Sequence, residues 1–353
     1  MIGARLKLAR EASGMTQAEL AEVIGTTQSG VASMEGGIYR PSPEYIKTIA
    51  MKTGFAPSFF EKGEIPEFPY GTLLYRAHTA VKQSQRSKAH AMCHVSFELG
   101  CMLAPRLKKV PVNVPKLSEA PSKCAQITRA SLGLSPNSVV KDVTLCLERN
   151  GAWVFSLPME VDGFDGFSSW AGYGPSRPII ALLGGKTPYR EVFTISEELG
   201  HLVMHSPLRV SVAEADREAR RFAQEFLLPA EAMEAEMHPP ITLSGLASLK
   251  MRWGVSMAFL AKRAESLAFL TKNQYRYLLQ EIRLKGWDKQ EPGDEDAVHE
   301  RPRIIRKMAE MLYGKPVDLA RLSKDSGLSP KLLREALGIE PSTARVLEFK
   351  RTP

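Results

Sequence analysis

Apolar residues recur at spacings of three and four in four short stretches of the first 60 residues, and each stretch ends at a glycine. This pattern predicts amphipathic helices at residues 2–12, 17–24, 28–35 and 43–53. Thr16 is followed three residues later by Glu19, which fits a capping box at the start of the second helix. Gly25 then permits a tight turn, so the second and third helices are expected to form a compact pair.

The middle of the chain mixes helical and strand patterns. Apolar runs at 152–157 and 178–183 predict strands, and the glycine-punctuated residues 162–168 predict a loop and strand between them. Helical spacing occupies 76–110 before these strands and 187–229 after them. Strands that lead into long helices predict an α+β fold that is mostly α.

The last third of the chain again has helical spacing, in two groups separated by an acidic run. Helices are expected between residues 243 and 285, two of them around the Gly254 turn. Residues 288–300 are acidic and polar, which predicts a flexible connector. Residues 303–339 predict a helix, a Gly327 turn and a capped helix. Whether this last group dimerises the protein or binds a neighbour is open at this stage.

Charge and cysteine content narrow the class of protein. The chain of 353 residues carries a net charge of +8 and has a pI of about 9.2. Residues 76–150 hold twelve basic and four acidic residues, so this segment contacts nucleic acid or an acidic protein, or is a solvated face. Four cysteines without a C-x-x-C pair favour a reduced cytoplasmic protein. No leader or apolar run of membrane length is seen, so no membrane partner is expected.

The sequence Glu197-Glu198-Leu199-Gly200-His201 holds the main candidate chemistry. Glu197 and His201 are four residues apart, so on a helix they share one face. The layout is that of the zinc-protease motif H-E-x-x-H with glutamate in place of the first histidine. Glu198 lies where it could polarise a water, and Glu218 on the next helix could supply a third ligand. His90 and His94 also share a face around Cys93, but buried cysteine and surface histidine explain that group better than a metal site.

Residues 16–37, TQAELAEVIGTTQSGVASMEGG, resemble the Cro/lambda-repressor-like (XRE-type) helix-turn-helix family. The resemblance covers residues 2–60. It implies that the third helix enters the major groove of double-stranded operator DNA and that Gln17 contacts a phosphate. The positions that it assigns to base contacts are Thr27, Gln28, Ser29, Ala32 and Ser33. Residues 1–60 hold only six basic and five acidic residues, so tight binding is expected to need a homodimer on two half-sites.

A second resemblance, to the ImmA/IrrE-type metallopeptidase family, covers roughly residues 122–287. It is carried by residues 151–183, 187–205 (TPYREVFTISEELGHLVMH) and 216–229 (DREARRFAQEFLLP). The family binds zinc through the two motif histidines and a downstream glutamate, and the motif glutamate activates water. Carried over, Glu198 is the general base, His201 and Glu218 are zinc ligands, and Glu197 stands at the first ligand position.

The two resemblances divide the chain into five expected parts. These are a helix-turn-helix domain of five helices at 1–62, a linker and basic helical segment at 63–121, a zincin-like metallopeptidase domain with a small sheet at 122–240, a helical helix-turn-helix-like subdomain at 241–287, and the connector with its C-terminal helical appendage at 288–353. Lys262 and Arg263 leave a second DNA contact open in the fourth part.

The glutamate at position 197 bears on which of two functions is predicted. Two carboxylates and one imidazole suit zinc less well than two imidazoles and one carboxylate. The favoured prediction is a transcriptional regulator, such as an antitoxin-type autorepressor, whose degenerate ImmA/IrrE-like domain binds a partner protein, a toxin or a repressor. The alternative is an active zinc metalloprotease that cleaves a repressor to control stress or mobile-element genes.

Overall fold

The computed structural model describes residues 2–72, 81–172, 176–205 and 211–339. The first five helices are α1 (Ile2–Ala12), α2 (Gln17–Ile24), α3 (Gln28–Glu35), α4 (Pro43–Thr53) and α5 (Pro57–Glu61). The four predicted N-terminal helices are therefore present with the expected bounds. The capping box of Thr16 and Glu19 is formed, and Gly25 ends α2 in the left-handed conformation (φ 70°).

The middle of the chain contains one long helix and two short ones. They are α6 (Gln83–Leu103), α7 (Pro121–Ser131) and α8 (Val143–Arg149). The helix predicted over 76–110 is thus shorter at its C-terminal end, where Pro105 and Pro111 interrupt the helical pattern. Residues 76–80 of that prediction lie outside the described residues.

Three strands form a mixed sheet in the order β1-β3-β2. They are β1 (Trp153–Leu157), β2 (Gly166–Ala171) and β3 (Arg177–Leu183). β1 is parallel to β3, with Trp153 opposite Ile179, and β2 is antiparallel to β3, with Gly166 opposite Leu182. β2 is therefore at the edge of this sheet, and its outer edge is the side that is not hydrogen-bonded to β3.

The remaining helices follow the sheet. They are α9 (Pro188–Met204), α10 (Val212–Leu227), α11 (Ala230–Glu236), α12 (Leu243–Trp253), α13 (Met257–Ser266), α14 (Lys272–Leu284), α15 (Ile304–Tyr313), α16 (Leu319–Ser326) and α17 (Pro330–Leu337). The α+β, mostly α fold is confirmed. No helix among residues 2–72, 81–172, 176–205 and 211–339 is long and apolar enough to cross a bilayer.

The sheet separates two hydrophobic cores because alternate residues of a strand point to opposite faces. Phe155 and Ala181 face the first core, which contains α1–α6 and α15–α17. Val154 and Ile180 face the second core, which contains α7–α14. The N-terminal helices and the C-terminal appendage therefore share one core, although they are at opposite ends of the chain.

The appendage packs directly on the N-terminal helices. Phe55 and Leu328 form an isolated β-bridge, in which the Ala56 amide donates to Gly327 O (2.9 Å) and the Ser329 amide donates to Gly54 O (3.1 Å). These backbone bonds lie between the end of α4 and the start of α17. The appendage, whose role the sequence left open, is thus an intramolecular support for the N-terminal domain.

The expected flexible connector at 288–300 is instead anchored by its own carboxylates. Glu291 accepts from the Met257 amide (2.9 Å) and from the buried Lys250 ammonium (2.9 Å). Glu300 accepts from the Val143 amide (2.9 Å) at the start of α8. Both carboxylates satisfy unpaired amides at helix N-termini, where negative charge is favoured. The prediction of a flexible connector is wrong for this reason.

Candidate functional site

The third helix exposes the positions that the sequence assigned to base contacts. Val31 and Met34 are fully buried against the other N-terminal helices. Thr27 and Gln28 are exposed at the helix start, Ser29 and Ala32 are exposed on the face opposite Val31 and Met34, and Ser33 is half-buried. The Thr27 hydroxyl caps the helix by accepting from the Gly30 amide (3.1 Å) and lies 3.0 Å from the Ser29 hydroxyl. A polar, capped helix start that projects from a rigid core suits entry into a DNA groove.

Gln17, the expected phosphate contact, is fixed by an acidic partner. Its Nε2 donates to Glu35 Oε2 (2.9 Å), and Glu35 also accepts from Arg10 Nε (2.5 Å). Burial opposes the charged form of Arg10, but the hydrogen bond and charge of Glu35 outweigh it and raise the Arg10 pKa. This network joins the ends of α1, α2 and α3, and sequence spacing did not show it. The phosphate contact of Gln17 remains a prediction.

The Glu197–His201 motif lies in the buried half of α9. Glu197, Glu198 and His201 are 9%, 2% and 4% exposed. Thr187 caps α9. Gly200 lets α10 approach, because a Cβ there would be 3.0 Å from Phe222 Cδ1. Buried carboxylates at such a site need hydrogen-bond or charge partners.

Glu197 and Glu218, two of the predicted metal ligands, have other partners. The Arg220 guanidinium donates through Nε to Glu197 Oε1 (3.0 Å). Glu218 Oε2 is 3.1 Å from His205 Nε2. Each of these two carboxylates is therefore paired with a side chain of the chain itself.

His201 is turned toward two residues that the ligand prediction did not include. Its Nδ1 is 2.9 Å from His205 Nδ1, and its Nε2 is 3.6 Å from Asp216 Oδ1. Within the part of the chain that the structure describes, no three or more His, Cys, Asp or Glu side chains converge as a metal-binding group. With Glu197 ion-paired to Arg220, the predicted ligands are not arranged as a zinc site in the described residues.

Glu198, the expected general base, is held by two hydroxyl groups. Its Oε2 accepts from Ser168 Oγ of β2 (2.7 Å) and from Thr72 Oγ1 (3.0 Å). Thr72 comes from the segment that follows the N-terminal domain, 126 residues away in sequence. No local sequence signal indicated this contact or those of Arg220 and Asp216.

The histidines of α6 serve a structural purpose. His90 Nε2 lies 3.0 Å from Phe68 O, and His94 Nε2 lies 2.8 Å from Pro66 O. Burial lowers the pKa of each to about 4, so both rings are neutral at pH 7 and donate one N–H to a carbonyl. Burial also raises the pKa of Cys93, which keeps the thiol protonated. The buried cysteine was expected, but the expectation of surface histidines is wrong, because His90 is buried and His94 half-buried against these carbonyls.

Two family models match the chain. Residues 6–60 match the model described as helix-turn-helix, and residues 147–265 match the model described as IrrE N-terminal-like domain. The first range includes α2 and α3, and the second includes the whole sheet and the α9 motif. No curated protein matches the chain. The expected fusion of these two kinds of domain is confirmed. Zinc is the metal expected for the zincin-like fold of the second family.

Proposed function

We propose that this chain, which joins a helix-turn-helix domain to an IrrE N-terminal-like domain, is a cytoplasmic, operator-binding homodimer. In this proposal its second domain binds a partner protein instead of cutting peptide bonds. The helix-turn-helix domain supports double-stranded DNA as one ligand. The partner is a toxin or a repressor, and an antitoxin-type autorepressor is the form of regulation that we favour.

One observation carries the second half of the proposal. Glu197 stands at the first metal-ligand position, and its carboxylate is ion-paired with Arg220 on the neighbouring helix. To bind at this position, a cation must displace the Arg220 guanidinium from Glu197 and must also draw Glu218 away from His205. Such a site keeps the helix packing of a peptidase fold, while the negative charge of Glu197 is neutralised by Arg220 of the same chain.

DNA binding is tested by footprinting on the upstream region of the protein's own gene at low salt. A homodimer is expected to protect two half-sites with centres about 34 Å apart. Gln28→Ala is expected to cost about 1–3 kcal/mol and to relax base choice at one position, because Gln pairs bidentately with adenine. Gln17→Ala is expected to weaken all sequences alike, since a phosphate contact carries no sequence information.

Gln280→Ala is the matched control, because Gln280 is an exposed glutamine on α14, outside the helix-turn-helix domain. It is expected to bind like the unaltered chain. Unchanged affinity and unchanged base preference in the Gln28→Ala variant would argue against base reading by α3.

A metalloprotease that cleaves a repressor is the second candidate. It is favoured by the burial of Glu198 and His201 on one face of α9, as the motif requires. Incubation of candidate repressors with the purified chain, with and without zinc, separates the two functions. Partner binding without cleavage supports our proposal. Zinc-dependent cleavage that is lost in Glu198→Gln supports the protease.

A further inference from the structure

Residues 62–72, which we call the strap, run from the end of α5 to the outer edge of β2. Arg5 of α1 holds the beginning of the strap, where its Nε donates to Lys62 O (3.2 Å) and its Nη2 donates to Gly63 O (2.9 Å). Arg5 is only 1% exposed, so the donor groups of these bonds are shielded from water, whereas Lys62 is half-buried and Gly63 is exposed. The strap is thus fixed to the helix-turn-helix domain at its start.

The centre of the strap is held by α6. His94 and His90 bond to the carbonyls of Pro66 and Phe68. The Phe68 ring stacks on His94, with centroids 5.1 Å apart, and Tyr70 stacks on His90 at 3.9 Å. Aromatic side chains at alternate positions therefore anchor an extended backbone, and neutral histidines supply the complementary surface.

The end of the strap lies along the outer edge of β2 and is bonded to it and to the residue that follows it. The Gly172 amide donates to Glu67 O (2.9 Å), and the Ser168 amide donates to Thr72 Oγ1 (2.8 Å). Residue numbers rise along the strap as they fall along β2, so the two segments run antiparallel. The amides of Ser168 and Gly172 both point to the edge that is not paired with β3. A strand edge with unpaired amides is a template for extended peptides, and here the strap covers it, so that Ser168 is 1% exposed.

Gly71 is required for the strap to reach this edge. Its φ is +55°, and a Cβ at this position would lie 2.0 Å from Ser168 O, a backbone atom. The close approach brings the next residue, Thr72, within 3.0 Å of Glu198. The strap thus occupies the edge of β2 and also the carboxylate of the α9 motif.

We infer that the outer edge of β2 is a peptide-binding edge that the strap occupies in cis. The partner that it fits is an extended protein segment that displaces the strap. The strap itself shows the chemistry required: aromatic side chains at alternate positions, followed two residues later by a hydroxyl that faces Glu198. The inference rests on the proposed function, because it specifies how the partner protein is bound. Displacement of the strap releases the segment whose carbonyls accept hydrogen bonds from Arg5, which links partner binding to the helix-turn-helix domain.

The test uses the full chain, hydrogen exchange at β2 and a fluorescent peptide that copies residues 64–72. Gly71→Ala is expected to speed exchange of the Ser168 and Gly172 amides by about tenfold or more, because the strap can no longer close on them. The same variant is expected to bind the peptide at least about tenfold more tightly than the unaltered chain, whose edge is already filled. Gly63→Ala is the control, since a Cβ there meets no atom within 4 Å.

Thr72→Val tests the inference independently of backbone strain, and decides it if Gly71→Ala does not fold. It removes the hydroxyl that Ser168 and Glu198 contact, and faster exchange of the Ser168 amide is expected. Unchanged β2 exchange in the folded variants would overturn the inference, as would equal binding of a scrambled peptide. No DNA is present in these assays, so failure of operator binding and failure of the β2 edge are seen separately.

Discussion

Replacement of Arg5 by methionine probes the joint between the helix-turn-helix domain and the rest of the chain. The Arg5 guanidinium forms a two-pronged ion pair with Glu98 of α6, at 2.9 Å (Nη2 to Oε1) and 3.3 Å (Nη1 to Oε2). It also donates to the carbonyls of Lys62 and Gly63. Methionine keeps most of the apolar stem and removes all of these donors.

The size of the effect follows from what methionine leaves behind. Loss of one member of a buried pair costs about 3–5 kcal/mol because the other charge is left without compensation. The Glu98 side chain is 16% exposed, so water relieves part of this cost. Two carbonyls also lose a donor, but Lys62 is half-buried and Gly63 is exposed, so water can replace the lost bonds at little cost. We therefore expect Arg5→Met to destabilise the N-terminal domain by about 3 kcal/mol.

Native-state hydrogen exchange of the α1 and α5 amides measures this free energy locally. Lys7→Met is the matched control: Lys7 is an exposed basic residue on the same helix, and its replacement should change stability by less than about 0.5 kcal/mol. The double variant Arg5→Met/Glu98→Leu should be about 1–2 kcal/mol more stable than Arg5→Met, because no carboxylate is stranded. A loss below about 1 kcal/mol for Arg5→Met, or no recovery in the double variant, would refute the reasoning.

Three further predictions concern the two cores and the strap. The pKa values of His90 and His94 are lowered from 6.5 to about 4, so the stability that they contribute is complete above pH 6.5 and is lost as pH falls toward 4. The free energy of unfolding falls by up to about 3 kcal/mol per histidine, and urea unfolding at pH values from 7 to 4 measures this loss. The same dependence of stability on pH in the His90→Gln/His94→Gln variant would contradict the prediction. Lys250 is fully buried, and Lys250→Met leaves the carboxylates of Glu291 and Asp294 without their cation. We expect thermal unfolding to show a loss of about 3–5 kcal/mol in stability, and an unchanged stability would contradict the ion-pair role. Gly100→Ala places a Cβ 2.4 Å from the Trp153 ring, so we expect a net loss of about 1–2 kcal/mol with altered Trp fluorescence, whereas a gain in stability would show that the ring moves at little cost.

Local signals were sufficient to predict the N-terminal domain. Thr16, Glu19 and Gly25 act within a few residues of one another, so the capping box and the turn can be read from spacing alone. The exposure of Ser29 and Ala32 follows in the same way from burial of Val31 and Met34 on the other side of a short helix. The helix bounds and the exposed positions of α3 could therefore be predicted from the sequence.

Long-range pairings could not be predicted from the same patterns. Acidic residues at 288–300 indicated a solvated segment, but Glu300 bonds to an amide 157 positions earlier in the chain. Nothing in the spacing around Phe55 indicated that residue 328 would form a β-bridge with it. Hydrogen bonds of this kind depend on how the two cores assemble, and side-chain charge alone does not specify them.

The motif on α9 was found from the sequence, but its partners were not. The i, i+4 relation placed Glu197 and His201 on one face, as the structure has them. The ion pair of Glu197 with Arg220 depends on the rotation of α10 about its axis, and the contact of Glu198 with Thr72 depends on the path of the strap. These tertiary contacts determine whether the motif holds a metal.

Zinc content is the most direct test of the account. The purified full-length chain is mixed with equimolar zinc, passed through a desalting column and analysed by elemental mass spectrometry. The Glu197–Arg220 and Glu218–His205 pairings predict well under one zinc ion per chain, with no change in Glu197→Ala. One zinc ion per chain, lost in both Glu197→Ala and His201→Ala, would contradict the account.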